Sequence, residues 1–213
     1  MRYLNQKRKL DIVLSSLALF LLAPLLMLIA VLIKLDSKGP VLFKQQRVGQ
    51  DETLFWIYKF RTMRDDTPKD VPTHMFADPT KHITPIGSVL RKTSLDELPQ
   101  LVNILKGDMA LVGPRPALWN QTDLIEARRA EGVAPVKPGL TGWAQVKGRD
   151  ELPIEVKAKF DGDYVRHMGH RLDLVCILLT VRNVLLRKGI IEGQVEPPTV
   201  PLKEKEMTHV AKK

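Results

Sequence analysis

The sequence predicts an α+β fold, mostly helical. It is a small membrane-associated domain with an N-terminal membrane helix and surface amphipathic helices. Three observations carry this. Ile12 to Ile33 contains no charged residue, and only Ser15, Ser16 and Pro24 interrupt its apolar run. The chain after Lys34 breaks at turn residues into short segments, some with helical and some with strand-like patterning. The last 22 residues are rich in Pro, Lys and Glu and read as a flexible tail. The expected organisation is a membrane helix at 1–36, a cytoplasmic domain at 37–190 and a C-terminal tail at 191–213.

The 22 residues of the apolar run would form a straight helix of about 33 Å, long enough to cross a hydrocarbon layer of about 30 Å. No small-residue cleavage site follows it, which argues against a secretory signal. Arg2, Lys7, Arg8 and Lys9 stand upstream, and Lys34, Lys38 and Lys44 downstream. The positive-inside rule wants both flanks in the cytoplasm. Pro24 near the middle removes a backbone hydrogen bond. A helix that bends at Ala23–Pro24 and leaves on the side it entered satisfies both observations; a kinked span is the alternative.

In the domain, Val41 to Phe43 and Phe55 to Tyr58 read as short strands. Thr84 to Arg91 and Leu95 to Lys106 read as short helices, and Asp65 to Lys81, with three prolines, as a surface loop. Leu174, Ile177, Leu178, Val181 and Leu185 fall at helical spacing among basic residues. Packing of this face on the core is the expectation, with membrane-surface binding as the alternative.

Lys and Arg total 33 against 24 Asp and Glu, a net charge of +9, so an anionic partner is expected. One cysteine, Cys176, excludes an internal disulfide framework and a Cys-rich metal site. No phosphate-binding Gly-rich motif opens a helix after a strand. His167 and His170 lack further ligands and read as structural.

Chemistry concentrates at Thr93–Gln100. Ser94 and Glu97 match a capping box, which would hold Asp96 at a helix start beside Glu97. An ionised carboxylate there is a candidate nucleophile or metal ligand. Basic residues accompany it in the sequence. Arg91 precedes it, and Lys59 and Arg61 alternate in an extended segment. Arg115 stands between Pro114 and Pro116, where the loop presents one guanidinium suited to phosphate. Gly139, Gly142 and Gly148 offer close backbone approach. Two carboxylates, a divalent metal and cationic clamps make a phosphoryl-transfer site.

These stretches, in this order, resemble the bacterial sugar transferase family, the monotopic phosphoglycosyl transferases acting on polyprenol phosphate. The matching segments are Gly39–Gly49, Tyr58–Met63, Ile83–Gly87, Ser94–Gln100, Lys106–Pro116 and Lys137–Arg149. The length is similar to that of the family's small members. The resemblance implies transfer of a sugar-1-phosphate from a UDP-sugar to undecaprenyl phosphate with release of UMP. It implies Asp96 as nucleophile, Glu97 as its partner, and Lys59, Arg91, Arg115 and Arg149 as substrate-binding residues. It implies Mg²⁺ held at Asp96, a re-entrant helix broken at Ala23–Pro24, and placement on the cytoplasmic face of the bacterial inner membrane. Ala23 stands where the family carries Ser, and Lys147 where Asn is common. The implied partners are the UDP-sugar, undecaprenyl phosphate and membrane lipid, without nucleic acid; a homodimer is allowed. N,N′-diacetylbacillosamine is the favoured sugar, with N-acetylgalactosamine, galactose and glucose open. A membrane-anchored adaptor binding anionic lipid or nucleic acid would explain the charge and the anchor, but not the Asp96–Glu97 cluster.

Overall fold

A computed structural model describes residues 2–68, 78–148 and 152–186. The predicted tail, Arg149 and most of the 65–81 loop lie outside the described residues. A 35-residue helix, α1 (Arg2–Asp36), opens the chain. Two antiparallel strands follow, β1 (Leu42–Val48) and β2 (Leu54–Phe60), with Leu42 opposite Phe60 and Val48 opposite Leu54. They are longer than the apolar runs that announced them, because the polar Lys44–Arg47 stretch is also paired. Next come α2 (Pro85–Thr93) and α3 (Gln100–Lys106). A parallel pair, β3 (Ala110–Val112) and β4 (Gly139–Thr141), is connected through α4 (Thr122–Ala130). Three helices complete the described chain: α5 (Trp143–Gly148), α6 (Ile154–His167) and α7 (His170–Leu185).

The core is built against α1. Ile29 and Ile33 pack with Phe60 and Leu90. Ala18 and Leu19 cover a second cluster of Ile57, Leu101, Ile104 and Met109. Burying Ile29 and Ile33 stabilises by roughly 1.5–3 kcal/mol each. The other face of α1 is apolar and exposed, with Val13, Leu17, Phe20, Leu21, Met27, Leu28 and Val31 outward. Among the described residues, α1 is the one helix long and apolar enough to cross a membrane. The interruption expected at Ala23–Pro24 is not a gap: α1 runs through Pro24 as one helix. Proline deletes a single backbone bond there, and the flanking turns keep theirs.

Both ends of α1 are tied to the domain. Near its start, Lys7 Nζ donates to Asp173 Oδ2 at 2.9 Å, and Tyr3 Oη donates to the same oxygen at 2.8 Å. Tyr164 Oη lies 2.8 Å from Asp173 Oδ1. Arg8 donates to the carbonyls of Ile104 and Leu105 at the end of α3. Asp11 lies 3.8 Å from Lys7 and accepts from the Leu111 amide. At the far end, Asp36 Oδ2 accepts from the Ile86 amide, and Arg61 donates to the carbonyls of Ser37 and Lys38.

Of the face of α7 expected to pack on the core, Ile177 does so, but the rest points the other way. Leu174, Leu178, Val181 and Leu185 face outward, each more than half exposed, while Asp173 and Cys176 face the core. The cause is Asp173: three donors, from Tyr3, Lys7 and Tyr164, compensate its burial, so the helix turns its polar residue in. Cys176 is fully buried. His167 and His170 bond to the Asp163 carbonyl and the Gln6 side chain.

Candidate active site

Asp96 and Glu97 lie in a three-residue 3-10 turn, Leu95–Glu97, between α2 and α3. Ser94 ends α2 in the left-handed region (φ 56°, ψ 17°), its amide returning to the Arg91 and Leu90 carbonyls. The expected Ser94 capping box does not form: Ser94 makes no side-chain cap bond. Thr84 is the cap instead, accepting from Gly87 N at 3.0 Å at the start of α2. The next α-helix begins only at Gln100, after Pro99. Residues three apart eclipse in a 3-10 turn. Leu95 and Leu98 both pack inward against the two clusters beneath α1. The two acidic side chains between them are turned the other way.

The dyad is asymmetric. Glu97 Oε1 accepts from Lys59 Nζ at 2.7 Å and from Arg115 Nη2 at 2.9 Å, and Arg115 Nη1 lies 3.4 Å from Oε2. Among the described residues no cation lies within ion-pair distance of Asp96. Three predicted residues, Lys59, Arg115 and Glu97, thus meet in one buried cluster beside Asp96. Arg91 is placed further out, with Nε on Thr62 Oγ1 at 3.1 Å and Nη2 against Met63 Sδ, yet near enough for its charge to reach Asp96. Arg61 leaves the site and binds the segment after α1. β2 ends at Phe60, so its alternation no longer governs residue 61.

The loop bearing Arg115 is fixed through its carbonyls. Pro114 O accepts from Gly139 N at 2.8 Å, and Arg115 O from Arg128 Nη1 at 2.8 Å. Pro116 O accepts from Arg47 Nη1 at 3.1 Å, and Ala117 O from Val48 N at 3.0 Å. Behind it β3 and β4 cross backbone on backbone. A Cβ on Gly139 would come 2.1 Å from Gly113 N, and one on Gly142 2.1 Å from Gly113 O. These glycines serve close approach between strands. Asn103, fully buried, accepts from the Tyr58 amide and donates to the Trp56 carbonyl, seating α3 on β2 next to Lys59. Lys147 stacks over the Trp143 ring at 4.7 Å. Sequence reasoning passed over Arg128, Arg47 and Asn103. Arg47 and Asn103 lie in or beside segments already noted, but Arg128 stands in an ordinary charged helix and carried no signal.

Burial raises the Asp96 carboxyl to about 6, and the negative charge of Glu97 adds to the rise against Lys59, Arg91 and Arg115. Glu97 is driven far below the carboxylate range, because the charges and hydrogen bonds of Arg115 and Lys59 outweigh its burial. Glu97 is therefore a fixed anion, and Asp96 is the group that titrates. Asp96 is ionised above about pH 6 and protonated below, so a reaction that needs its carboxylate has an acid limb there. Glu97→Gln removes the like charge and frees two cations to face Asp96. The residual kcat/KM of that variant is expected to keep its acid limb, moved to lower pH. An unmoved limb would separate Asp96 from the titration.

No group of three His, Cys, Asp or Glu able to enclose an ion occurs among the described residues. Mg²⁺ needs no such cage: one or two carboxylates plus substrate phosphates hold it. Asp96 can supply that single carboxylate, while Glu97 is engaged by two cations. The donor set fits a metal that arrives with a phosphorylated substrate.

Residues 2–187 match the profile of a family described as bacterial sugar transferase. The uncharacterized sugar transferase EpsL of Bacillus subtilis is 41% identical over 187 residues, covering 86% of this chain and 89% of that protein. The exopolysaccharide production protein ExoY of Sinorhizobium fredii is 34% identical over 197 residues, covering 86% and 87%. The UDP-glucose:undecaprenyl-phosphate glucose-1-phosphate transferase of Escherichia coli is 42% identical over 193 residues, covering 86% of this chain and 41% of that longer protein.

Proposed function

Because this chain belongs to the bacterial sugar transferase family, we propose that it moves a sugar-1-phosphate from a UDP-sugar to undecaprenyl phosphate and releases UMP. The observation that carries the reading is the asymmetry of the dyad. One carboxylate is locked between Lys59 and Arg115, and its neighbour stands outside those ion pairs with a pKa of about 6. An Oδ atom of Asp96 attacks the β-phosphorus of the UDP-sugar. The bond to the bridging oxygen breaks, UMP leaves, and the sugar phosphate remains on Asp96. A phosphate oxygen of undecaprenyl phosphate then attacks the same phosphorus, and the aspartate carboxylate is restored. Arg115 has a planar fork suited to the nucleotide diphosphate. Glu97 and the carbonyl clamps hold that fork in place. Mg²⁺ held by Asp96 and the phosphates would neutralise charge during transfer.

The lipid acceptor accounts for the apolar outer faces of α1 and α7. Both would lie against the cytoplasmic leaflet of the inner membrane, with α1 entering and leaving on that side. The reaction is placed as the first membrane step of polysaccharide or glycan assembly, in keeping with a relative named for exopolysaccharide production. UDP-glucose, the substrate class in the name of the E. coli relative, leads a screen with UDP-galactose, UDP-N-acetylgalactosamine and the diacetylbacillosamine donor.

The test is release of UMP by purified enzyme in detergent. With undecaprenyl phosphate and Mg²⁺, one UDP-sugar of the panel should turn over, and a chelator should abolish it. Without lipid, the same donor should release a single equivalent of UMP and leave a sugar-phosphate mass on the Asp96 peptide. UMP only when lipid is present, with no adduct, would refute the two-step course; no UMP from any donor would refute the function.

A further inference from the structure

We propose that Arg128, oriented by Asp161, is a positioning residue for Arg115, setting where that guanidinium meets the diphosphate of the nucleotide sugar. The inference rests on the function proposed above, in which Arg115 is the phosphate-binding residue. Neither Arg128 nor Asp161 carries a role by resemblance.

The geometry is specific. Arg128 lies in the last turn of α4 and Asp161 on α6; their relative exposures are 8% and 1%. Arg128 Nε and Nη2 both donate to Asp161 Oδ2, at 2.8 and 2.6 Å. That leaves Nη1 directed away from Asp161, and it donates to the Arg115 carbonyl at 2.8 Å. The guanidinium is rigid and planar, so fixing two nitrogens fixes the third. The target needs such a donor. In Pro114–Arg115–Pro116 the prolines have no N–H, so the loop is held chiefly by what its carbonyls accept. Arg128 is the side chain that holds the carbonyl of Arg115 itself.

Stability alone does not call for this pair. A buried ion pair is often no more stabilising than apolar residues of similar volume, whereas removing one partner strands the other charge. What an apolar pair cannot do is donate to Arg115 O. The same fact supplies the experiment. Replacing both residues together, Arg128→Met with Asp161→Leu, removes two charges at once and leaves the loop without its donor.

Two readouts are taken on full-length protein in detergent. The first is hydrogen exchange of the segment 111–118 at matched global stability, which requires no substrate. The second is UMP release against UDP-sugar concentration. Positioning predicts faster exchange confined to that segment and a KM for UDP-sugar raised on the order of tenfold to a hundredfold. A folded double variant with unchanged exchange, or with faster exchange but wild-type KM, overturns the proposal. If wild-type enzyme releases no UMP from any donor, the parent function fails, and Arg128 as a residue positioning for this reaction falls with it. The exchange result then says only whether the loop contact exists. Should the double variant not fold, Asp161→Asn is read in the same way. It keeps the acceptor and weakens its hold, so a smaller change in the same direction supports the proposal and none overturns it.

Discussion

Asp96→Asn should lower turnover by about a thousandfold or more while the protein stays folded. The amide matches the carboxylate in size but is not a nucleophile, so the first phosphoryl step loses its attacking atom. The fold has no stake in the charge. A carboxyl raised from 3.8 to about 6 in the folded state stabilises fully below pH 3.8, and that contribution is lost as the pH rises through about 6. At neutral pH the ionised side chain therefore opposes folding, and the variant should melt no lower than wild type. Glu97 keeps both of its cations, so the site retains its shape. Turnover above about a tenth of wild type, under ~1.4 kcal/mol of barrier, would remove Asp96 from the nucleophile's role.

Thiol labelling in intact cells should give an all-or-none answer for α1. The buried thiol is first replaced by Cys176→Ser. Single cysteines are then placed at Asn5 and, separately, at Lys38, both exposed and at opposite ends of the helix. With a reagent that reaches the periplasm but not the cytoplasm, neither position should react until the cells are opened. The reason is packing. Lys7 and Arg8 bind α7 and the end of α3, and Asp36 binds α2, so both ends of α1 contact one folded domain. A transmembrane span would tear the first set of contacts away. Reaction at Asn5 in intact cells, with Lys38 protected, would establish a span and defeat the re-entrant arrangement.

Much of this was legible beforehand, for identifiable reasons. The apolar run of α1 needs no partner to be recognised, since 22 uncharged residues outweigh any local ambiguity. Asp96, Glu97, Lys59 and Arg115 stood out because titratable residues cluster there among prolines and glycines. The local conformation of the dyad did not. Ser94–Glu97 has the pattern of a capping box, but the inward pull of Leu95 and Leu98 makes a tight turn of it, and those contacts are long-range. The largely inverted polarity of α7 was hidden for the same reason: Asp173 is buried by residues 9 to 170 positions away. Arg128 could not be seen at all, because its place depends on the Arg115 carbonyl and on Asp161, 13 and 33 positions away on other elements.

The polar latch at the start of α1 also bears on how the protein is born. Lys7 and Asp173 are 166 residues apart. At about 5–20 residues per second, on the order of ten to thirty seconds pass between their syntheses. Through that interval the surface that will hold the first turns of the helix does not yet exist. Docking of the helix start therefore comes last. The inner face of α1, with Ile29 and Ile33, waits in the meantime for Phe60 and Leu90. The domain in turn cannot close its core until α1 folds back onto it, because Ile29 and Ile33 are part of that core, so the helix made first is also the last piece to be locked in place.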